Sequence, residues 1–304
     1  MKLLYNIIQL TLFAIANAQT SFDTNMKRII ASREIGPRWE LDINKFSSIS
    51  HDEFSKYYKG YNANYEIERT IPNITTQTIP DSWDWREQGN VVAPVKNQGQ
   101  CGSCWAFSAV GALESQVRMK TNGSVLLSEQ EMVDCVKNIV SPDKTLTCCN
   151  GCQGGEMYSV YQFLNNGMDS TEQQYPYTGR DGSCKKLSSY VDIYVKQKLK
   201  SYVSLPKGNE KLIAKMLYTI GPLSIGVNAN LDWQMYSKGI YDPSEKQCDS
   251  SIYSQDHGVI LVGYGSEKGL DYWIIRNSWG KDWGENGYIR LARGSNACGV
   301  SISS

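Results

Sequence analysis

The sequence predicts an α+β fold made of two subdomains with a cleft between them. Three observations carry that expectation. From residue 104 to about residue 166, apolar residues recur at helical spacing. From residue 223 onward the pattern changes to short β-rich runs separated by Gly turns. A helical half followed by a sheet half buries one layer against the other and leaves a seam. The residues with the most distinctive chemistry fall on both sides of it: Cys104 in the helical half, His257 and Asn277 in the sheet half.

The elements follow in chain order. Met1-Lys2 is weakly basic, Leu3 to Ile15 is mainly apolar though diluted by Asn6 and Gln9, and Ala16-Asn17-Ala18 is a small-residue cleavage site before Gln19. This pattern reads as a secretory signal peptide over residues 1–18, too short to span a bilayer. Residues 19–78 contain no Cys and little Gly, and Ile71 to Pro80 reads as an extended linker. A helix is expected from Cys104 to about Val117, with Ser103 as its N-cap. Ser128-Glu129-Gln130-Glu131 forms a capping box that opens a short helix ending near Cys135. Glu156 to Asn166 places Met157, Val160, Tyr161, Phe163 and Leu164 on one helical face. A helix over Glu210 to Ile220 stops at Gly221-Pro222. Strands are expected at 223–227, 259–264, 272–276 and 288–291.

Composition narrows the class. Lys plus Arg equals Asp plus Glu at 31 each, so no global charge draws the chain to nucleic acid or an anionic membrane. Nine cysteines suit an oxidising compartment, and an odd count fits one free thiol with four pairs.

The free thiol is best placed at Cys104. In Gln98-Gly99-Gln100-Cys101-Gly102-Ser103-Cys104-Trp105-Ala106-Phe107-Ser108, two Gly and a Ser force a tight turn into a mostly buried helix. Cys104 then sits in the first helical turn, where the helix dipole favours the thiolate, the nucleophilic form. A nucleophile needs a base, and the chain has only two histidines, His51 and His257. With the first eighty or so residues removed, His257 alone remains. Asn277 lies at the end of another strand, and its side-chain carbonyl can accept an imidazole N–H.

These residues together resemble the papain/cathepsin cysteine-protease signature, with His257 and Asn277 lying 153 and 173 positions beyond Cys104. Asp84-Trp85-Arg86 and Gly154-Gly155 add to the resemblance, which covers residues 79–304. It implies a papain-like fold, with a helical left domain and a β-barrel-like right domain. It implies a thiol peptidase in which Cys104 attacks, His257 moves protons, Asn277 orients His257, Trp279 shields that hydrogen bond and Gln98 helps hold the oxyanion. The substrate would lie along Gly154 and Gly155, with the second specificity pocket lined by Met157, Gly226, Gln255, Gly258 and Ser303. Met157 also reads as helix core. Glu156 stands where relatives often carry an aromatic or aliphatic residue and favours a basic group nearby. The resemblance would have the chain run several residues beyond Ser304, where the floor of that pocket lies.

The resemblance extends to residues 19–78 as an inhibitory propeptide of the cathepsin L-like kind. Phe22, Asn25 and Ile29 resemble the tail of its long helix motif, and Leu41 to Phe46 with His51 to Phe54 resemble its second block. The segment is short, and the first propeptide helix is expected to be missing. The family pairing suggests Cys101–Cys152, Cys135–Cys184 and Cys248–Cys298. Cys148 and Cys149 remain; they pair with each other, Cys149 replaces Cys152, or both join Cys152 at a metal. The last is disfavoured by the spacing, so neither metal nor cofactor is expected. The expected partners are protein or peptide substrates, the chain's own propeptide and cystatin-type inhibitors, for a monomer in a lysosome, a vacuole or outside the cell. With His257 the only mature histidine, an endopeptidase is favoured. An exopeptidase and a catalytically silent binding protein are the alternatives. Asn73 and Asn122 begin glycosylation sequons.

Overall fold

The computed structural model describes residues 2–62, 78–140, 147–166, 170–185 and 201–302. In chain order its elements are α1 (Lys2–Ile35), β1 (Trp39–Leu41), α2 (His51–Tyr58), β2 (Trp83–Asp84), α3 (Cys104–Thr121), α4 (Glu129–Cys135), β3 (Lys137–Val140), β4 (Thr147–Asn150), α5 (Met157–Asn166), α6 (Glu210–Ile220), β5 (Leu223–Val227), α7 (Leu231–Met235), β6 (Tyr236–Tyr241), β7 (His257–Glu267), β8 (Leu270–Arg276) and β9 (Tyr288–Ala292).

The helical half gathers α3, α4, α5 and the β3–β4 hairpin around Trp105, Val110, Met132, Val133 and Val160, all fully buried. α3 begins where expected, but Ser103 does not cap it through its side chain. The Ser103 hydroxyl instead meets the Tyr177 hydroxyl at 2.7 Å. Ser128 caps α4 as predicted, accepting the Glu131 N–H at 3.0 Å. The reciprocal half of the box is absent: Glu131 accepts the Ser170 N–H, tying α4 to the following loop.

Four disulfides close the cysteine problem. Three are Cys101–Cys152, Cys135–Cys184 and Cys248–Cys298, and Cys148 is bonded to Cys149. Cys149 therefore does not replace Cys152. Its left-handed backbone, φ 79°, accompanies the bond between adjacent residues.

In the sheet half the strand order is β1-β6-β9-β8-β7-β2, with β5 on β7. The expected barrel-like form is an open sheet, since these pairings do not return on themselves. Its core is rich in aromatics, with Trp233, Tyr236, Trp273 and Trp283 at 0–1 % exposure, a density that lets short strands bury a large apolar area. The strands at 236–241 and 39–41 were not legible in the sequence because 39–41 is only three residues long and Ser237-Lys238-Gly239 interrupts the apolar pattern of the other.

The two halves meet where α3 lies on β7. A side chain at Gly111 would strike Ile260, with a Cβ only 2.2 Å from its Cδ1, so the missing side chain permits the approach. Ser108 fixes the register by donating to the Val259 carbonyl at 2.6 Å. Charge is buried at the same seam: Lys96 bonds Glu114 and Glu129 at 2.7 Å each, and Arg276 of β8 stands 4.0 Å from Glu114.

Residues before 62 dock on this body. On α1, Ile29 is fully buried and the Asn25 amide donates to the Ser47 and Ile49 carbonyls at 3.0 and 3.2 Å. β1 pairs antiparallel with β6, so the segment expected to be a propeptide supplies an edge strand to the sheet half. Phe46 and Phe54 pack on each other and on Trp279 at ring separations of 5.0 to 5.7 Å and 4.9 Å.

Candidate active site

Cys104 is the first residue of α3 and, among the described residues, the one cysteine outside a disulfide. β7 starts at His257 and crosses the helix end closely: a Cβ on Gly258 would lie 3.0 Å from the Cys104 carbonyl. The Gly258 backbone N–H hydrogen-bonds the Cys104 sulfur. His257 Nε2 lies 2.8 Å from Asn277 Oδ1, fixing the ring's tilt and making Nε2 the protonated nitrogen. Nδ1 is buried and has no hydrogen-bond partner among the described residues. Trp279 stacks on the imidazole, 4.4 Å between centroids and 23° between planes, and closes the hydrogen bond to water.

Gln98, fully buried, sits beside the nucleophile from the loop before α3. Its amide group donates to the Cys101 carbonyl at 2.9 Å and the Tyr58 carbonyl at 3.3 Å. Its Oε1 accepts the Ser278 hydroxyl at 2.7 Å, which sets the amide orientation. Tyr177 donates to the Gln98 backbone carbonyl at 2.7 Å. Sequence reasoning missed Ser278 and Tyr177. Ser278 follows Asn277 directly, and that adjacency was the only available signal; Tyr177 had none.

A backbone already occupies the cleft. Tyr58 O accepts Trp279 Nε1 at 2.8 Å as well as the Gln98 amide. Gly60 and Tyr61 donate to the Asp256 carbonyl at 3.1 and 3.0 Å, and Lys59 Nζ reaches Asp256 Oδ2 at 2.7 Å. Gly155 donates to Gly60 O at 2.9 Å and accepts from Asn62 N at 3.1 Å, a parallel bridge along the predicted substrate edge. Gly60 is required here, since a Cβ would come within 2.1 Å of Gly102 O.

Burial works against the charged form of both members of the pair. Burial pushes the Cys104 thiol up to about 12, against the backbone N–H bonds from Gly258 and Trp105 that pull it down. Burial likewise pushes His257 down to about 3, and the Asn277 hydrogen bond opposes it only in part. For both groups burial is the largest cause and works against the charged form.

The other predicted residues divide. Met157 is buried in one cluster with Cys104 and Tyr61. Gly226 pairs with Gly258 across β5 and β7. Gly154 approaches Gly60 as Gly155 does, with a Cβ position 2.8 Å from Gly60 O. The Gln255 amide donates to the Cys298 carbonyl at 3.1 Å and lies against Gly299, near the chain's C-terminal turn. Ser303 and the Asn73 sequon lie outside the described residues. Asn122 is exposed at the C-cap of α3.

A nucleophilic thiol, an imidazole oriented by an amide and a buried amide donor together define a thiol hydrolase centre. Comparison with known proteins gives the family. Residues 79–304 match the description "Papain family cysteine protease". The chain is 41% identical over 281 residues to a cathepsin L-like peptidase of Aedes aegypti, covering 87% of this chain and 77% of that one. It is 37% identical over 285 residues to pro-cathepsin H of Bos taurus, covering 92% and 80%. A solved structure of digestive procathepsin L 3 from the Tenebrio molitor larval midgut superposes with a TM-score of 0.81 at 33% identity, covering 96% of this chain and 91% of that one. The chain belongs to the papain family and is a papain-type cysteine protease. No helix among the described residues is long and apolar enough to cross a membrane.

Proposed function

We propose that the chain is the zymogen of a cysteine endopeptidase of the secretory pathway, acting in a lysosome, a vacuole or outside the cell. In this reading residues 1–18 direct export, 19–78 inhibit, and 79–304 are the peptidase. The observation that carries it is the run from Tyr58 to Asn62. This run holds the Gln98 amide, the Trp279 indole and the Gly155 edge at once, the three groups a peptide substrate would use.

Removal of that run rehydrates the cleft. The thiol pKa then falls and the imidazole pKa rises, because the desolvation that dominates both shifts is relieved. A proton passes from Cys104 to His257; the His-paired thiol of papain itself titrates at about 3–4. The thiolate attacks the scissile carbonyl, and the oxyanion is held by the Cys104 backbone N–H and the Gln98 amide hydrogen released from Tyr58. His257 gives its proton to the leaving amine, a thioester forms, and His257 then draws a proton from water to hydrolyse it. Asn277 keeps the ring in place throughout. Peptide substrates lie along Gly154 and Gly155, with Met157, Gly226 and Gly258 around the second side chain. Cystatin-type inhibitors would enter the same cleft.

The test uses refolded proenzyme at mildly acid pH with a reductant, assayed on fluorogenic dipeptide substrates varied at the second position. Turnover should appear with loss of the prosegment and be absent in Cys104→Ala. Equal turnover in both proteins would refute the thiol mechanism. Release restricted to chain ends, with internal bonds spared, would refute the endopeptidase assignment.

A further inference from the structure

The turn between Gln98 and Cys104 is soft by composition. It contains Gly99, at φ 60°, and Gly102, and glycine confers conformational freedom rather than rigidity. Yet its two ends carry the groups proposed to meet the oxyanion: the Gln98 side-chain amide, and the Cys104 backbone N–H, which belongs to the peptide bond made by Ser103. Tyr177 spans those ends. Its hydroxyl donates to the Gln98 carbonyl at 2.7 Å and lies 2.7 Å from the Ser103 hydroxyl. A phenol has one hydrogen to give, and here it goes to Gln98, so Ser103 donates to Tyr177. The result is a directed chain from Ser103 through Tyr177 to Gln98 that closes the turn from outside it. Tyr177 is itself well anchored. Its N–H donates to Glu172 Oε1 at 2.9 Å, and the next residue, Thr178, donates to Gln130 Oε1 at 2.9 Å. Its ring meets Phe107 of α3 edge-on at 4.9 Å, and the Cys135–Cys184 disulfide ties the end of the same segment to α4.

We propose that Tyr177 is a positioning residue for the reaction: its hydroxyl, acting through Ser103 and Gln98, fixes the spacing of the two donors that meet the developing oxyanion. This rests on the oxyanion role proposed for Gln98. Ser278 does a different task. Its hydroxyl turns the Gln98 amide, and its carbonyl accepts the Gln98 N–H at 2.8 Å. The Gln98 main chain is thus held on one side by Ser278 from the sheet half and on the other by Tyr177 from the helical half. The Tyr58 carbonyl, which also holds the Gln98 amide, leaves with the prosegment, whereas Tyr177 lies within residues 79–304 and stays. Preorganised donors stabilise a transition state only where they already stand at the oxygen's position, so a small change in their spacing acts on turnover before it acts on substrate binding.

The test compares variants of the mature protein. Tyr177→Phe keeps the ring against Phe107 and removes only the hydroxyl. It should lower kcat by about tenfold on a fluorogenic dipeptide amide, with KM held within about twofold. It should weaken a peptide aldehyde, whose hemithioacetal oxygen takes the oxyanion's place, by a similar factor. Alkylation of Cys104 by iodoacetamide, a displacement that forms no oxyanion, should keep its rate. Ser103→Ala cuts the same chain at its far end and should lose kcat in the same way, and the double variant should be no worse than Tyr177→Phe alone. In a Gln98→Ala background the Tyr177→Phe loss should shrink to less than about threefold. Full kcat in Tyr177→Phe, multiplying losses in either double variant, or alkylation slowed in step with turnover would each overturn the proposal. A fully active Gln98→Ala protein would refute the oxyanion reading and the proposal with it. A crippled Gln98→Ala beside a fully active Tyr177→Phe would refute the proposal alone.

Discussion

The helical half and the sheet half hold themselves together by different means. Three of the four disulfides lie in or beside the helical half, and two of those three tie residues about fifty positions apart. The sheet half has one such bond, Cys248–Cys298, and relies on a core in which Trp233, Trp273, Trp279 and Trp283 are all fully buried. The contrast bears on function because the nucleophile belongs to one half and its base to the other. Cys104 sits between Cys101, locked to Cys152, and the buried face of α3, whereas His257 and Asn277 are fixed by strand pairing and by Trp279. Each half can therefore loosen in its own way and still disable the same pair.

The comparison can be broken at the site first. His257→Ala should lower turnover by at least about 10⁴-fold, as should Cys104→Ala, and the double variant should be no worse than either, because the two act as one unit. Independent, multiplying losses would mean that the halves do not share one catalytic step. A second test follows the charge state. Burial pushes the Cys104 thiol of the covered form up to about 12, so its alkylation should accelerate toward that pH. Prosegment removal should shift the alkylation profile to markedly lower pH; an unmoved profile would show that the cover does not set the thiol's state. Gln98→Ala comes next, with an expected loss of about 10²–10³-fold in turnover and little change in substrate affinity.

The smallest effects separate the two kinds of staple. Replacing Cys135 and Cys184 together with Ala should cost about 2–4 kcal/mol, with faster hydrogen exchange confined to α4 and residues 170–185. Replacing Cys148 and Cys149 together should cost far less, since a bond between neighbours closes no chain loop and removes little freedom from the unfolded state. Similar costs for the two pairs, read from denaturant midpoints, would contradict that account.

Much of this protein could be read before its structure. The Gly-rich turn into an apolar helix marked Cys104, the scarcity of histidine left His257, and Asn277 followed as an amide at the end of another strand. The α6 and β5 bounds were also legible, since a capped helix ending at Gly221-Pro222 is a local matter of backbone geometry. Three features were not. Ser278 and Tyr177 hold Gln98 across 180 and 79 positions, and no local pattern reports a contact of that range. Ser103 looked like a cap but found a better partner in Tyr177. The burial that acts on Cys104 was not legible either, because the helix dipole is local, whereas desolvation depends on every chain segment packed around the thiol. The sequence by itself determined which groups can react and where helices and strands begin. The tertiary structure decided whether those groups are charged and what they touch, because burial and long-range hydrogen bonds exist only once the chain has closed on itself.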